Sequence, residues 1–194
     1  MVRNMNDPAL ELTTRRLALT LPTEEQAEEV RGYFVRNLDR FAPSSPPAPP
    51  ELHAPGYWGR KLAAHRREYS EGRSVRLFLQ LREAPARIVG HCSLTEITRG
   101  PLQACYLGYG LDGAAEGKGL MAEALGETIR FAFDELRLHR IQANHRPTNE
   151  RSGALLRRLG FTVEGFARDY LFVGGGWQDH VLTSLTNPAP ILPF

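Results

Sequence analysis

Residues 107–125 hold the clearest chemistry in the chain. Leu107-Gly108-Tyr109-Gly110-Leu111 reads as an apolar strand, and Gly117-Lys118-Gly119 opens an amphipathic helix at Leu120, Met121, Ala124 and Leu125. That order gathers unpaired backbone N–H groups and the positive end of a helix dipole at one point, which suits a phosphate. Glycines let the backbone approach an anion closely, because no Cβ intervenes. Two familiar phosphate loops fail on spacing. A Walker loop needs a glycine five residues before Gly117 and a Ser or Thr after Lys118, where the chain has Asp112 and Gly119. Gly108, Gly110 and Gly113 spell G-x-G-x-x-G, yet a dinucleotide-binding helix would begin near Gly113, and the apolar spacing begins only at Leu120. The acidic residue about 20 positions on should end a second strand; Asp134 lies instead near the end of the helix.

What remains resembles the pyrophosphate loop of the GNAT family of N-acetyltransferases, whose pattern is Gln/Arg-x-x-Gly-x-Gly/Ala. Gly117 and Gly119 take the two small positions, and Ala114 replaces the usual Gln or Arg. That departure removes a side-chain contact and leaves the backbone amides. A second motif follows in order: Asn149-Glu150-Arg151-Ser152, then Gly160-Phe161, is similar to the Asn-x-x-Ser and Gly-Phe signature of the Rim-type branch. Four further strings resemble its RimJ-like group: Ala104-Cys105-Tyr106-Leu107-Gly108-Tyr109, His139-Arg140-Ile141, Arg168-Asp169-Tyr170-Leu171 and the run from Gly176 to Thr183. The resemblance covers nearly the whole chain.

The resemblance implies acetyl-CoA as acetyl donor, with no metal, and the N-terminal alanine of a small-subunit ribosomal protein as acceptor. A small amine is the alternative acceptor, and a CoA-binding module without catalysis is a third reading. The implied cofactor contacts are Tyr109, Gly110, Leu111, Gly117, Lys118, Gly119, Leu120, Met121, Asn144, Asn149 and Ser152. Asn149 can cap a helix or bond the pantetheine arm. Ser152 is implied to stabilise the departing thiolate by hydrogen bonding, although a Ser at a helix start also commonly bonds backbone. A general base must take the proton of the attacking amine. Glu96 and Asp169 are the candidates, with His145 and an ordered water as competitors. Arg151, Arg157 and Arg158 form either a solvated basic face or a contact for the 3′-phosphate of CoA.

These residues need elements to place them. Alternating Leu17, Leu19 and Leu21 predict a strand over 14–21, and Thr23-Glu24-Glu25-Gln26 spells a capping box before a helix burying Val30, Phe34 and Leu38. Prolines make residues 42–55 an extended surface loop, the part expected to shape the acceptor groove. A helix over 57–70 and strands over 75–81, 88–97 and 103–111 follow, the strands as an antiparallel meander. The helix from Gly119 carries a stripe from Leu120 to Leu136, and residues 141–144 form a short strand. Thr148 or Asn149 caps a helix ending at Gly160, and a hairpin over 161–185 turns at Gly174-Gly175-Gly176. The expectation is an α/β GNAT fold, a mixed and mostly antiparallel sheet splayed between two parallel strands and flanked by helices.

Composition bounds the rest. The 194 residues suit one domain, 1–194, with a proline-broken tail at 187–194. Formal charge is only +2, so no nucleic-acid contact is expected. Cys92 and Cys105 each sit in a strand-like run and read as buried thiols, not a disulfide. No apolar stretch reaches membrane-span length, and Met1 to Asp7 is no signal peptide, so the protein is expected in the cytoplasm as a monomer or homodimer.

Overall fold

The computed structural model describes residues 10–189. The expected readings of Met1 to Asp7 and of most of the tail lie outside them. Eight strands form one sheet: β1 (Glu11–Thr13), β2 (Leu17–Thr20), β3 (Val75–Leu81), β4 (Ala84–Thr98), β5 (Ala104–Leu111), β6 (Arg140–Gln142), β7 (Thr162–Val173) and β8 (Gly176–Thr186). They run in the order β1-β2-β3-β4-β5-β6-β8-β7. Every neighbouring pair is antiparallel except β5 and β6, which are parallel. The helices are α1 (Ala27–Arg36), α2 (Leu38–Phe41), α3 (Tyr57–Ser70), α4 (Leu120–Arg130) and α5 (Glu150–Arg158). Among the described residues, no helix is long and apolar enough to cross a membrane.

Strand alternation divides the core between the two faces of the sheet. Leu77, Leu79, Cys92, Leu94, Cys105 and Leu107 pack with Leu120, Ala124 and Leu125 of α4 and Leu156 of α5. Phe78 and Ile88 point the other way, onto Val30 and Tyr33 of α1 and Trp58 and Leu62 of α3. Both cysteines are free and buried, and burial pushes each thiol up to about 12.

The structure departs from the sequence pattern at several points. β1 is too short, at three residues, to carry a periodic signal. The chain breaks at Asn37, whose buried amide donates to the Tyr33 carbonyl and accepts from Gly113 N–H, so Leu38 ends up exposed. Tyr33 takes the buried place beside Val30. The Pro-rich segment is exposed as expected but holds two single 3-10 turns, Ala42–Ser44 and Pro50–His53. After Arg130 the backbone widens into a π turn, Phe131–Glu135, with Leu136 N–H reaching the Phe131 carbonyl at 3.0 Å. Phe131, Ala132 and Phe133 are all buried within that turn.

Two carboxylates, Asp112 buried and Glu123 partly buried, fix the turn between β5 and α4. Asp112 accepts from Arg36 Nε at 2.9 Å, Arg87 Nη2 at 3.2 Å and Ala114 N–H at 3.1 Å. Glu123 in the first turn of α4 accepts from Thr14 Oγ1 at 2.6 Å, Arg16 N–H at 2.8 Å and Arg16 Nε at 2.7 Å. Burial alone would raise both carboxyls, but these donors hold each of them at about 2.

A group depressed in this way stabilises the fold above its unfolded value and loses that contribution as pH falls through the folded value. The melting temperature is therefore expected to fall as pH drops from about 5 to about 2. Glu123→Gln should lower stability near neutrality and flatten that decline. Calorimetry across this range checks it, and an unchanged slope in the variant would refute the clamp.

Candidate active site

β5 and β6 pair over three residues only, Ala104↔Arg140, Cys105↔Ile141 and Tyr106↔Gln142. Beyond that fork β5 keeps its pairing with β4 as far as Leu111, while the chain after β6 turns to β8 through Ala143 and His145. One edge of Leu107–Leu111 therefore faces a gap. At about 3.3 Å per residue the free edge is about 16 Å long.

The glycine loop lies at the far end of that edge. Gly117 and Gly119 have φ of 74° and 73°, a left-handed backbone that L side chains rarely adopt. Nothing lies within 4 Å of a Cβ built on Gly117. Arg16 Nη1 donates to the Lys118 carbonyl at 2.9 Å, so the loop is fixed from outside. The Lys118 ammonium donates to the Ala114 carbonyl at 3.0 Å and braces the loop from within. The first amides of α4, from Leu120 onward, are left without intrahelical partners, as at any helix start.

A cavity of about 930 Å³ fills the gap. Of the residues expected to hold the cofactor, Tyr109, Gly110, Leu111, Gly117 and Gly119 line it, with Leu120, Met121, Asn149 and Ser152. Lys118 and Asn144 are not on its wall. α5 enters through Asn149, whose Oδ1 accepts from Ser152 N–H at 3.2 Å. The cap therefore uses the Asn149 side chain and leaves the Ser152 hydroxyl free to share a hydrogen bond with the Tyr109 hydroxyl at 2.7 Å. Burial raises the Tyr109 phenol, with Ser152 pulling the other way, so the pair stays protonated. Arg151 and Arg158 also line the cavity and Arg157 does not. Arg151 and Arg40 both pair with Glu116, the first at 2.7 Å.

The remaining wall comes from the Pro-rich loop. Arg146 Nη1 donates to the Pro43 carbonyl at 2.7 Å and Gly174 N–H to the Ser45 carbonyl at 3.0 Å, which ties residues 43–45 over the cavity. His91 was not singled out in the sequence, yet its ring lines the cavity. Tyr33 Oη lies 2.9 Å from His91 Nδ1 and donates to the Gly110 carbonyl at 3.2 Å. Burial and then the Arg76 charge hold the imidazole down at about 4, so it is neutral near pH 7. No local spacing pairs Tyr33 with His91.

The base candidates lie apart from this cavity. Glu96 is exposed, at φ 51°, in the irregular stretch of β4 between Thr95 and Thr98 that faces the fork through Thr95↔Tyr106. Asp169 is exposed in an irregular stretch of β7, its N–H donating to the Asp179 carboxylate at 2.9 Å. His145 Nδ1 lies 2.9 Å from the Arg146 carbonyl and its ring packs on Gly153. Asn144 turns from the cavity: its Nδ2 donates to the Tyr170 hydroxyl at 3.2 Å. Among the described residues, no group of three His, Cys, Asp or Glu could hold a metal ion.

Residues 16–162 match the acetyltransferase (GNAT) domain family. The ribosomal protein uS5-alanine N-acetyltransferase of Escherichia coli is 39% identical over 183 residues, 94% of each chain. The ribosomal-protein-S5-alanine acetyltransferase of Vibrio fischeri has a TM-score of 0.87 at 32% identity, covering 93% of this chain and 100% of its own. RimJ of Mycobacterium smegmatis, solved in complex with CoA-disulfide, has a TM-score of 0.83 at 26% identity, over 94% of this chain and 90% of its own.

The left-handed glycines and open amides predict the effect of filling the loop. Gly119→Glu adds a side chain and a negative charge where an anion would sit, so acetyl-CoA affinity should fall more than about tenfold. Calorimetric titration of the folded variant checks it; wild-type affinity would remove the phosphate role of the loop.

Proposed function

The chain belongs to the GNAT acetyltransferase family and is an acetyl-CoA-dependent acyltransferase, and we propose that it acetylates the α-amine of a protein N-terminus. The chain acts as one acetyltransferase domain in the cytoplasm. The proposed acceptor begins with alanine or another small residue and is a ribosomal protein of the small subunit, as in the relatives' names. The observation that carries the reading is the free edge of β5, which runs from the anion-binding loop to the fork with a protonated hydroxyl pair beside it.

In this reading Gly117, Gly119 and the first amides of α4 hold the pyrophosphate, and the edge of Leu107–Leu111 holds the pantetheine arm through backbone hydrogen bonds. The thioester then lies toward the fork. Transfer is direct within a ternary complex. The amine nitrogen bonds to the thioester carbonyl carbon, the C–S bond breaks, and a base accepts the proton lost by nitrogen. Glu96, at the fork, is better placed for that proton than Asp169 on the β7 edge. The Ser152–Tyr109 pair donates toward the sulfur as it becomes a thiolate, an interaction realised as charge develops.

The acceptor choice follows from acid-base equipment. An α-amine has an ordinary pKa of about 7.7–8.0 and a lysine side chain about 10.4, so near neutrality much more of the α-amine is already free base. A site with one exposed carboxylate at the fork suits the first better than the second.

Two measurements test this. Ser152→Ala is expected to lower kcat while leaving the dissociation constant of acetyl-CoA nearly unchanged; normal turnover would reduce Ser152 to a helix-start residue. Peptides beginning with Ala or Ser should be acetylated, those beginning with Leu or Phe little, and internal lysine not at all. If spermidine or an aminoglycoside gives a kcat/KM at least equal to that of the Ala peptide, the protein-N-terminus reading fails in favour of a small-amine acetyltransferase.

A further inference from the structure

The face of β5 opposite α4 carries a second polar cluster that the chemistry above does not use. Cys105, Leu107, Tyr109 and Leu111 pack toward the α4 core, so Tyr106, Gly108 and Gly110 present the other face. Gly108 is exposed and opens a gap in that face beside Ser93. A Cβ built there would meet only Ser93 Oγ, at 3.2 Å. One end of the gap is closed by His91 and Phe41, which a Cβ on Gly110 would strike at 2.6 Å and 3.2 Å.

The other end holds Tyr170. Its hydroxyl accepts from Asn144 Nδ2 at 3.2 Å, and Asn144 is itself fixed because its Oδ1 accepts from Thr183 N–H at 3.3 Å. The Tyr170 ring leans on buried His180, with centroids 5.6 Å apart. Burial first, then the Tyr106 hydroxyl and the Glu96 charge, hold the Tyr170 phenol up at about 12 against the opposing bond from Asn144. The hydroxyl thus keeps its proton at neutral pH. Half-buried, it is held between Asn144, which donates to it, and the Tyr106 hydroxyl, toward which its own proton points and which an incoming carbonyl would replace.

We infer that Tyr170 is a specificity-determining residue: its hydroxyl donates to the first backbone carbonyl of the acceptor, whose N-terminus enters over Gly108 with its amine toward Glu96. This deepens the α-amine reading and rests on it. A peptide N-terminus carries a carbonyl two bonds from the reacting nitrogen. A polyamine and a lysine side chain carry none there, so a donor at this place separates the two classes by hydrogen bonding rather than by size alone. A site built to bond a substrate group rejects analogues that lack it, because its own polar group is then left unpaired.

The test is steady-state kinetics of Tyr170→Phe with an Ala-initiated peptide, beside acetyl-CoA titration and thermal melting. The expected result is a KM for the peptide raised about tenfold with kcat changed less than about twofold, and wild-type acetyl-CoA affinity. An Ala-initiated acceptor whose first carbonyl is reduced to a methylene should show the same KM with both enzymes. An unchanged peptide KM in Tyr170→Phe, or a KM for the reduced analogue that still rises about tenfold in it, overturns the inference while the α-amine reading stands. A wild-type enzyme that acetylates no peptide N-terminus overturns both.

Discussion

The parting of β5 from β6 is the constraint on which the rest of the molecule turns. Backbone N–H and C=O groups are obligatory hydrogen-bonding groups, and a strand edge that loses its partner must satisfy them elsewhere. Here β5 stays committed to β4 through Leu111, and the chain after β6 is committed to β8 through Ala143 and His145. Over Ala104–Tyr106 β5 bonds β4 along one edge and β6 along the other, and past Tyr106 the chain after β6 follows β8 away from that second edge. The edge of Leu107–Leu111 is therefore held open by the sheet itself, and an amide-bearing arm is the kind of ligand that matches it.

The split also separates two chemical tasks. Tyr109 and Ser152 meet on the α4 and α5 side of the sheet, where helix packing buries the phenol. Glu96, Tyr106, Asn144 and Tyr170 gather at the fork, with Tyr106 on the opposite face of β5. A leaving thiolate and an incoming amine need donors and acceptors of opposite sense. In the proposed function the first pair serves the thiolate, and Glu96 on β4 serves the amine. Period-two alternation sets Tyr106 and Tyr109 on opposite faces of β5.

The loop that begins the helix is stiffened from a distance. Asp112 and Glu123 each draw donors from remote parts of the chain, Arg36 and Arg87 for the first, Thr14 and Arg16 for the second. Bonds of this kind to ionised groups exceed neutral ones in strength. They hold the two left-handed glycines of the loop in place. The Pro-rich segment is tied down in the same way, to Arg146 and to the Gly174 turn. Gly174 at φ 61° must be glycine there, since a Cβ would lie 3.0 Å from the Pro43 carbonyl oxygen.

The sequence by itself determined the parts whose signals are local. The helix over 57–70, the meander of β3 to β5, the glycine hairpin and the stripe of α4 were all legible, because periodicity and turn chemistry act within a few residues. The glycine loop and the Asn149–Ser152 turn were legible for the same reason, along with the family they resemble. Missing from that record were the break at Asn37, fixed by Gly113, and the π turn over Phe131–Glu135. Only the tertiary structure joined Ser152 to Tyr109, His91 to Tyr33 and Asn144 to Tyr170, pairs 43, 58 and 26 residues apart. It also moved Asn144 from the cofactor wall to the fork and left Asp169 on an exposed edge. Which side chains meet across a sheet depends on register and on which face each strand presents, and no spacing along one chain encodes that relation.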